Sequence, residues 1–316
     1  MKKRSLRTFL GYIFLLAFIA LTVWYVVHNW HDFASLTFKY PLLLIPAAIL
    51  TLINIYGAGA VIDLAMEPHG VKISKFEAFG LANITRLSNQ VSPTYVGAAM
   101  RATYMKRVHK VTFTKFSSSF IISNLLQLMI SGVLAIVTFF MLGESYSDTR
   151  PLIVVAILIA IFVLVLYFPV RFLARLLKYL QKYRFMRKPA DRILSLLDSY
   201  VAVRRHPGLL SRTIIWMIAM TLATALSIEL LYATLGITVS FFDAIFISTL
   251  SGWAIIFSIT PGNIGLREGL MVAAAQIAGI SISATLLVAI LIRLLTLLVA
   301  GGFSLYFTPI LFKKGK

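Results

Sequence analysis

Four arginines and a glutamate stand where charge is costly. Arg86, Arg101, Arg267 and Arg293 fall inside or beside apolar runs, and Glu268 follows Arg267 directly. An ionised side chain at the centre of a membrane helix costs about 2.5–3.5 kcal/mol on insertion scales unless it is paired or hydrated. Guanidinium groups donate hydrogen bonds in a planar fork that matches phosphate oxygens. Arg101, Arg267 and Arg293 are therefore expected to bind an anionic headgroup. Glu268 is expected to hold Arg293 or Arg267 when that site is empty, or to carry a proton. The plainer alternative is an Arg–Glu staple between two helices. Glu229 is expected near an interface rather than in the site.

Two broken stretches carry these charges. One reads Thr260-Pro261-Gly262-Asn263-Ile264-Gly265-Leu266-Arg267-Glu268-Gly269. Proline lacks a backbone donor and glycine loosens the chain, so a helix arriving from Asp243 should stop near Thr260. A second helix should run from Ile264 to Gly279. The other stretch has Asn89, Pro93, Gly97 and Arg101 at matching intervals. A break frees backbone N–H and C=O groups that lipid cannot satisfy, so both stretches must lie within protein or line a wet cavity. Helix ends freed at Pro93 and Pro261 would add positive dipole ends to an anion site.

The rest of the chain says what positions them. The chain has 316 residues, 59% hydrophobic and 13% charged. Soluble domains carry about 25% charged residues. Several apolar runs exceed the length of a spanning helix, which makes this an all-α polytopic membrane protein. The first run, 9–27, is not followed by a small-residue cleavage site, so it reads as a span rather than a signal peptide. No cysteine is present, which excludes disulfide and thiolate chemistry. No P-loop sequence appears. The five histidines lie in loops without metal-ligand spacing, so no metal or other cofactor is expected. The net charge of +19 reads as loop placement rather than nucleic-acid binding, because Lys and Arg collect on the cytoplasmic side of membrane proteins.

Spans are expected at 9–27, 41–62, 116–142, 151–169, 213–235 and 284–309, about six in all by the length criterion. Basic residues then sort cleanly. They crowd the head, 63–78, 106–115, 170–212 and the tail, while only Lys39 and Arg150 fall in opposite loops. This holds only if 79–105 enters and leaves on the cytoplasmic side and 243–279 enters and leaves on the outer side. The expectation is two oppositely oriented re-entrant or broken helical hairpins, an inverted repeat. Broken segments in corresponding places of two halves point to a transport site near the midplane. One transmembrane domain, 1–316, is expected, with a first half 1–169, a basic cytoplasmic loop 170–212 and a second half 213–316. The loop has apolar residues at helical spacing, which suits either surface-lying amphipathic helices or a solvated connector. Gly57-Ala58-Gly59-Ala60 is expected to let helices approach closely.

Pro261-Gly262-x-x-Gly265-x-Arg267-Glu268, with Arg293 in the last span, resembles the signature of the membrane domain of lysylphosphatidylglycerol synthetases. Asn89 to Arg101, then Lys106-Arg107, resembles that family's first-half motif. There this chain has Pro93-Thr94 and Gly97-Ala98, where the family often has Pro-Gly and Gly-Glu, so a carboxylate role for the first hairpin does not carry over. The resemblance implies a bacterial inner-membrane protein, with both termini cytoplasmic here by the charge pattern. It implies lipid translocation, without the soluble aminoacyl-transferring domain and so without enzyme activity. The expected partners are anionic membrane lipids and a further copy of the chain, with no nucleic acid. The alternative function is a non-transporting scaffold whose basic loop docks a glycosyltransferase or a lipid-modifying enzyme.

Overall fold

The structure is a computed structural model. It describes residues 23–91, 96–141, 207–257 and 260–313, with residue 20 and scattered positions between 175 and 197. Most of the expected span 9–27, all of 151–169, Pro93, and most of the basic loop lie outside the described residues. Among the described residues every regular element is helical.

Eight helices of twelve residues or more make the frame among the described residues. They are α1 (Leu44–Met66), α2 (Lys75–Val91), α3 (Val96–Val108), α4 (Phe113–Met141), α5 (Pro207–Thr234), α6 (Phe241–Gly252), α7 (Leu266–Ile277) and α8 (Ile282–Lys313). Four segments among the described residues are long and apolar enough to cross a bilayer: Pro41–His69, Phe113–Met141, Gly208–Thr234 and Ile282–Phe312. They fall where four of the expected spans were placed. Two boundaries differ. Helix α5 already begins at Pro207, so Arg212 belongs to it rather than to the basic loop; proline suits a first helical turn because its missing N–H has no intrahelical partner there. Helix α8 continues through Pro309 to Lys313.

Side-chain contacts fix the directions. Arg212 near the start of α5 pairs with Glu67 just beyond α1 at 2.7 Å. At the other end, the Tyr40 N–H donates to the Thr234 carbonyl at the end of α5. Helices α1 and α5 are therefore antiparallel. The α2–α3 hairpin starts where α1 ends, and the α6–α7 hairpin starts where α5 ends, so the two enter the bundle from opposite ends. Phe76 at the start of α2 meets Phe307 near the end of α8, ring centroids 4.7 Å apart. Phe246 of α6 meets Phe139 near the end of α4. Each half thus houses its hairpin against the last span of the other half. Exchanging the halves leaves the pattern of helix contacts unchanged, as an inverted repeat requires.

Close backbone approach makes this packing possible. A Cβ on Gly57 would lie 2.6 Å from Met220 Cγ of α5, and one on Gly59 would lie 3.0 Å from the Ala78 backbone of α2. Two apolar cores result. One, around Phe139, Tyr232, Phe246 and Met271, lies toward the end where α6–α7 enters. The other, around Ile62, Met66, Leu81, Met105 and Phe307, lies toward the opposite end.

Candidate functional site

The second hairpin breaks earlier than proline alone dictates. Ser240 and Asp243 form a reciprocal cap that starts α6. The helix stops at Gly252 rather than near Thr260, passing into a 3-10 turn over Trp253–Phe257. Pro261–Asn263 forms a second such turn. Gly262, Asn263 and Gly265 all have positive φ, at 58°, 55° and 95°. L side chains rarely adopt this region, and glycine occupies it freely. Gly262 has a second constraint. A Cβ there would sit 2.8 Å from Gln90 Oε1 and 2.9 Å from Arg293 Nη1. The tips of the two hairpins therefore touch, Gln90 of α2 against Gly262.

Arg293 ties this junction together from α8. Its Nε donates to Glu268 Oε1 at 2.6 Å, and Nη2 lies 2.5 Å from the same oxygen. Nη1 donates to Gln90 Oε1 at 3.0 Å, and Nη2 donates to the Gly262 carbonyl at 3.1 Å. The other Glu268 oxygen accepts from the Gly265 N–H at 2.8 Å, capping α7. Glu268 is only 7% exposed, so this carboxylate is fully employed. The positive end of α7 is consequently met by the chain's own glutamate. In the first hairpin, Asn89 Oδ1 accepts from the Gly97 N–H at 3.1 Å, which caps α3 across the break.

Beside this junction lies a cavity of about 460 Å³. Its wall reaches from Leu50 to Met66 on α1 and from Phe116 to Ser131 on α4. At the α-helical rise this is a slot roughly 20–25 Å long. Amide and hydroxyl side chains line it, including Asn54, Asn89, Gln90, Asn124, Gln127, Thr224, Ser227, Ser251 and Asn263. Among the described residues three arginines line it too, Arg86, Arg101 and Arg267, and no carboxylate does.

The three arginines differ in their surroundings. Arg86 donates to Asn54 Oδ1, and Asn54 in turn donates to Thr224 Oγ1 at 2.9 Å and to the Met220 carbonyl at 3.1 Å. Arg267 lies within electrostatic reach of Arg293, Glu268 and Arg86. Arg101 sits over the rings of Phe116 and Phe120, at 5.8 and 5.3 Å from their centroids. Its buried Nε finds no hydrogen-bond partner among the described residues.

Of the expected site residues, Arg101, Arg267, Asn89 and Gly262 line the cavity. Glu268 and Arg293 stand beside it as the staple that joins the hairpin tips, and Gly265 and Pro261 shape the tip itself. Arg86 was seen at membrane depth but not placed in the site. Its signal was position: it lies one helical turn before Asn89 and Gln90 on the same helix. Asn54, Asn124 and Gln127 fall within the expected spans 41–62 and 116–142, where apolar neighbours hide their role. Glu229 is half-buried in α5 and lines no part of the cavity. Among the described residues no group of acidic or histidine side chains could hold a metal ion. His69 bonds to Ser119 at 2.8 Å, and His109 bonds to Glu77.

The family described as the lysylphosphatidylglycerol synthase TM region matches residues 10–302, nearly the whole chain. The chain therefore belongs to that family. No curated protein matches it.

Proposed function

We propose that this member of the lysylphosphatidylglycerol synthase TM region family is a lipid translocase for an anionic phospholipid or lipid-linked headgroup. The observation that carries the reading is the cavity with three arginines and no carboxylate, set where two opposed hairpins meet. Unpaired cations in a low-dielectric slot attract an anion, and a cavity of this size accepts a headgroup while acyl chains remain in the bilayer. The same charge pattern disfavours a net-cationic headgroup such as an aminoacylated lipid. Arg86, held by Asn54, and Arg267 grip the phosphate. Lys72, Lys75, Lys106, Arg107 and Lys110 gather at the end where α2–α3 enters, which makes that end cytoplasmic by the charge rule, in an inner membrane. The protein binds and moves the headgroup without covalent chemistry.

Reconstituted vesicles with a labelled anionic phospholipid test this. Wild type should equilibrate the label across the bilayer, and Arg267→Ala and Arg86→Gln should each slow it ten-fold or more. Equal rates for wild type and both variants would remove the reading. The scaffold alternative rests on the basic loop. Neutralising that loop should leave flipping intact if translocation is the function.

A further inference from the structure

The three arginines do not form one cluster. Arg101 lies over Phe116 and Phe120, in the first turns of α4. The neighbouring Ser119 bonds to His69, just beyond the end of α1. Arg86 instead bonds to Asn54, in the middle of α1. The rise of α1 from Asn54 to its end at Met66 is roughly 18 Å, so the two guanidinium groups lie at different levels of the slot. Arg267 lies within electrostatic reach of Arg86. One phosphate cannot touch both places.

Chemistry separates them as well. Aromatic faces stabilise the plane of a guanidinium but leave its N–H edge unsatisfied. The Arg101 Nε is buried with no acceptor, while its side chain lines the cavity. A buried charge-assisted donor without an acceptor is a place for an oxyanion. The geometry points to two anion subsites in one slot: an outer one at Arg101, against Phe116 and Phe120, and an inner one at Arg86 and Arg267. The ligand class is a phosphate oxyanion, presented by a lipid headgroup or free. The outer subsite lies toward the end where α2–α3 enters, so an anion reaching the slot from that end meets Arg101 first. This rests on the anion reading of the cavity but not on translocation.

Binding to the purified full chain, measured by calorimetry and native mass spectrometry, tests it with two probes: short-chain phosphatidylglycerol and inorganic phosphate. Two phosphate groups should bind per chain in the wild type. Arg101→Gln and Arg267→Gln should each remove one, a different one, leaving the affinity of the other within about three-fold. Arg101→Lys keeps the charge but loses the planar Nε edge, and should weaken the outer site ten-fold or more. Unfolding midpoints matching wild type show that the variants fold; Arg101→Gln, if it fails this, is replaced by Phe120→Leu, which should weaken only the outer site, and Arg267→Gln by Asn54→Leu, which should weaken only the inner one. Two sites for the lipid assign them to a headgroup, and two for phosphate alone assign them to a free anion. A single site in wild type, loss of the same site in both glutamine variants, or no binding of either probe would overturn the proposal. Two bound anions without flipping would remove the translocase reading and leave this one standing.

Discussion

Replacing Glu268 with glutamine should destabilise the protein far more than removing the whole ion pair. Glu268 neutralises Arg293, whose side chain is only 17% exposed. Removing one partner of a buried pair leaves an uncompensated charge and costs about 3–5 kcal/mol. The variant amide can still accept a hydrogen bond at Gly265, so little is added for the lost cap of α7. Arg293→Gln alone should cost a similar amount, since it also frees Gln90 and the Gly262 carbonyl. The double variant Glu268→Gln/Arg293→Gln buries no charge. Its loss should be about 1–2 kcal/mol, the scale of several interhelical hydrogen bonds in a membrane. The coupling energy is then several kcal/mol, well above the roughly 0.6 kcal/mol average for polar contacts between membrane helices. Reversible unfolding of the four proteins in mixed detergent micelles, read by tryptophan fluorescence, gives the cycle. Additive single losses would refute the assignment of Glu268 and Arg293 as a structural staple. They would mean that the pair is hydrated and free to serve a ligand directly.

The other predictions concern packing and the tip. Gly262→Ala combines positive φ with a Cβ against Gln90 and Arg293, and should cost about 1–3 kcal/mol by unfolding midpoint. Gly70→Asn is the control: φ is also positive, but nothing lies within 4 Å, so the change should stay under about 1 kcal/mol. Gly80→Leu would drive a side chain into Phe307 and Leu311 and should part α2 from α8, costing about 1–3 kcal/mol or more; protease sensitivity of the first hairpin reports it. Asn54→Leu should leave Arg86 without its acceptor and reduce lipid flipping, while Thr224→Val, which removes only the further link, should reduce it less.

Much of the frame could be read from residue order because lipid imposes a simple rule. Apolar runs of spanning length have one stable fate, so α1, α4, α5 and α8 fell where hydropathy placed them. Charge placement in the loops fixed the opposed hairpins before any contact was known. What the linear order could not show is which cations are satisfied. Arg267 and Arg293 sit in equally apolar company, yet one lines a cavity and the other is clamped by Glu268. That difference depends on Gln90, contributed from another hairpin far away in the chain. The early end of α6 had no local breaker other than Gly252. The 3-10 turn that follows packs against α6 and α7, contacts that no local pattern encodes.

Housing each hairpin on the other half's last span has a consequence for synthesis. When α2 and α3 leave the ribosome, the surface they need on α8 does not yet exist. At about 5–20 residues per second, on the order of ten seconds or more separates the completion of α4 from that of α8. Through that interval Gln90 and the face of α2 around Gly80 lack their partners on α8, and something other than this chain must cover them. An insertase holding the first half until the second emerges would do so. Two half-length polypeptides made together should therefore assemble, where either made alone is degraded.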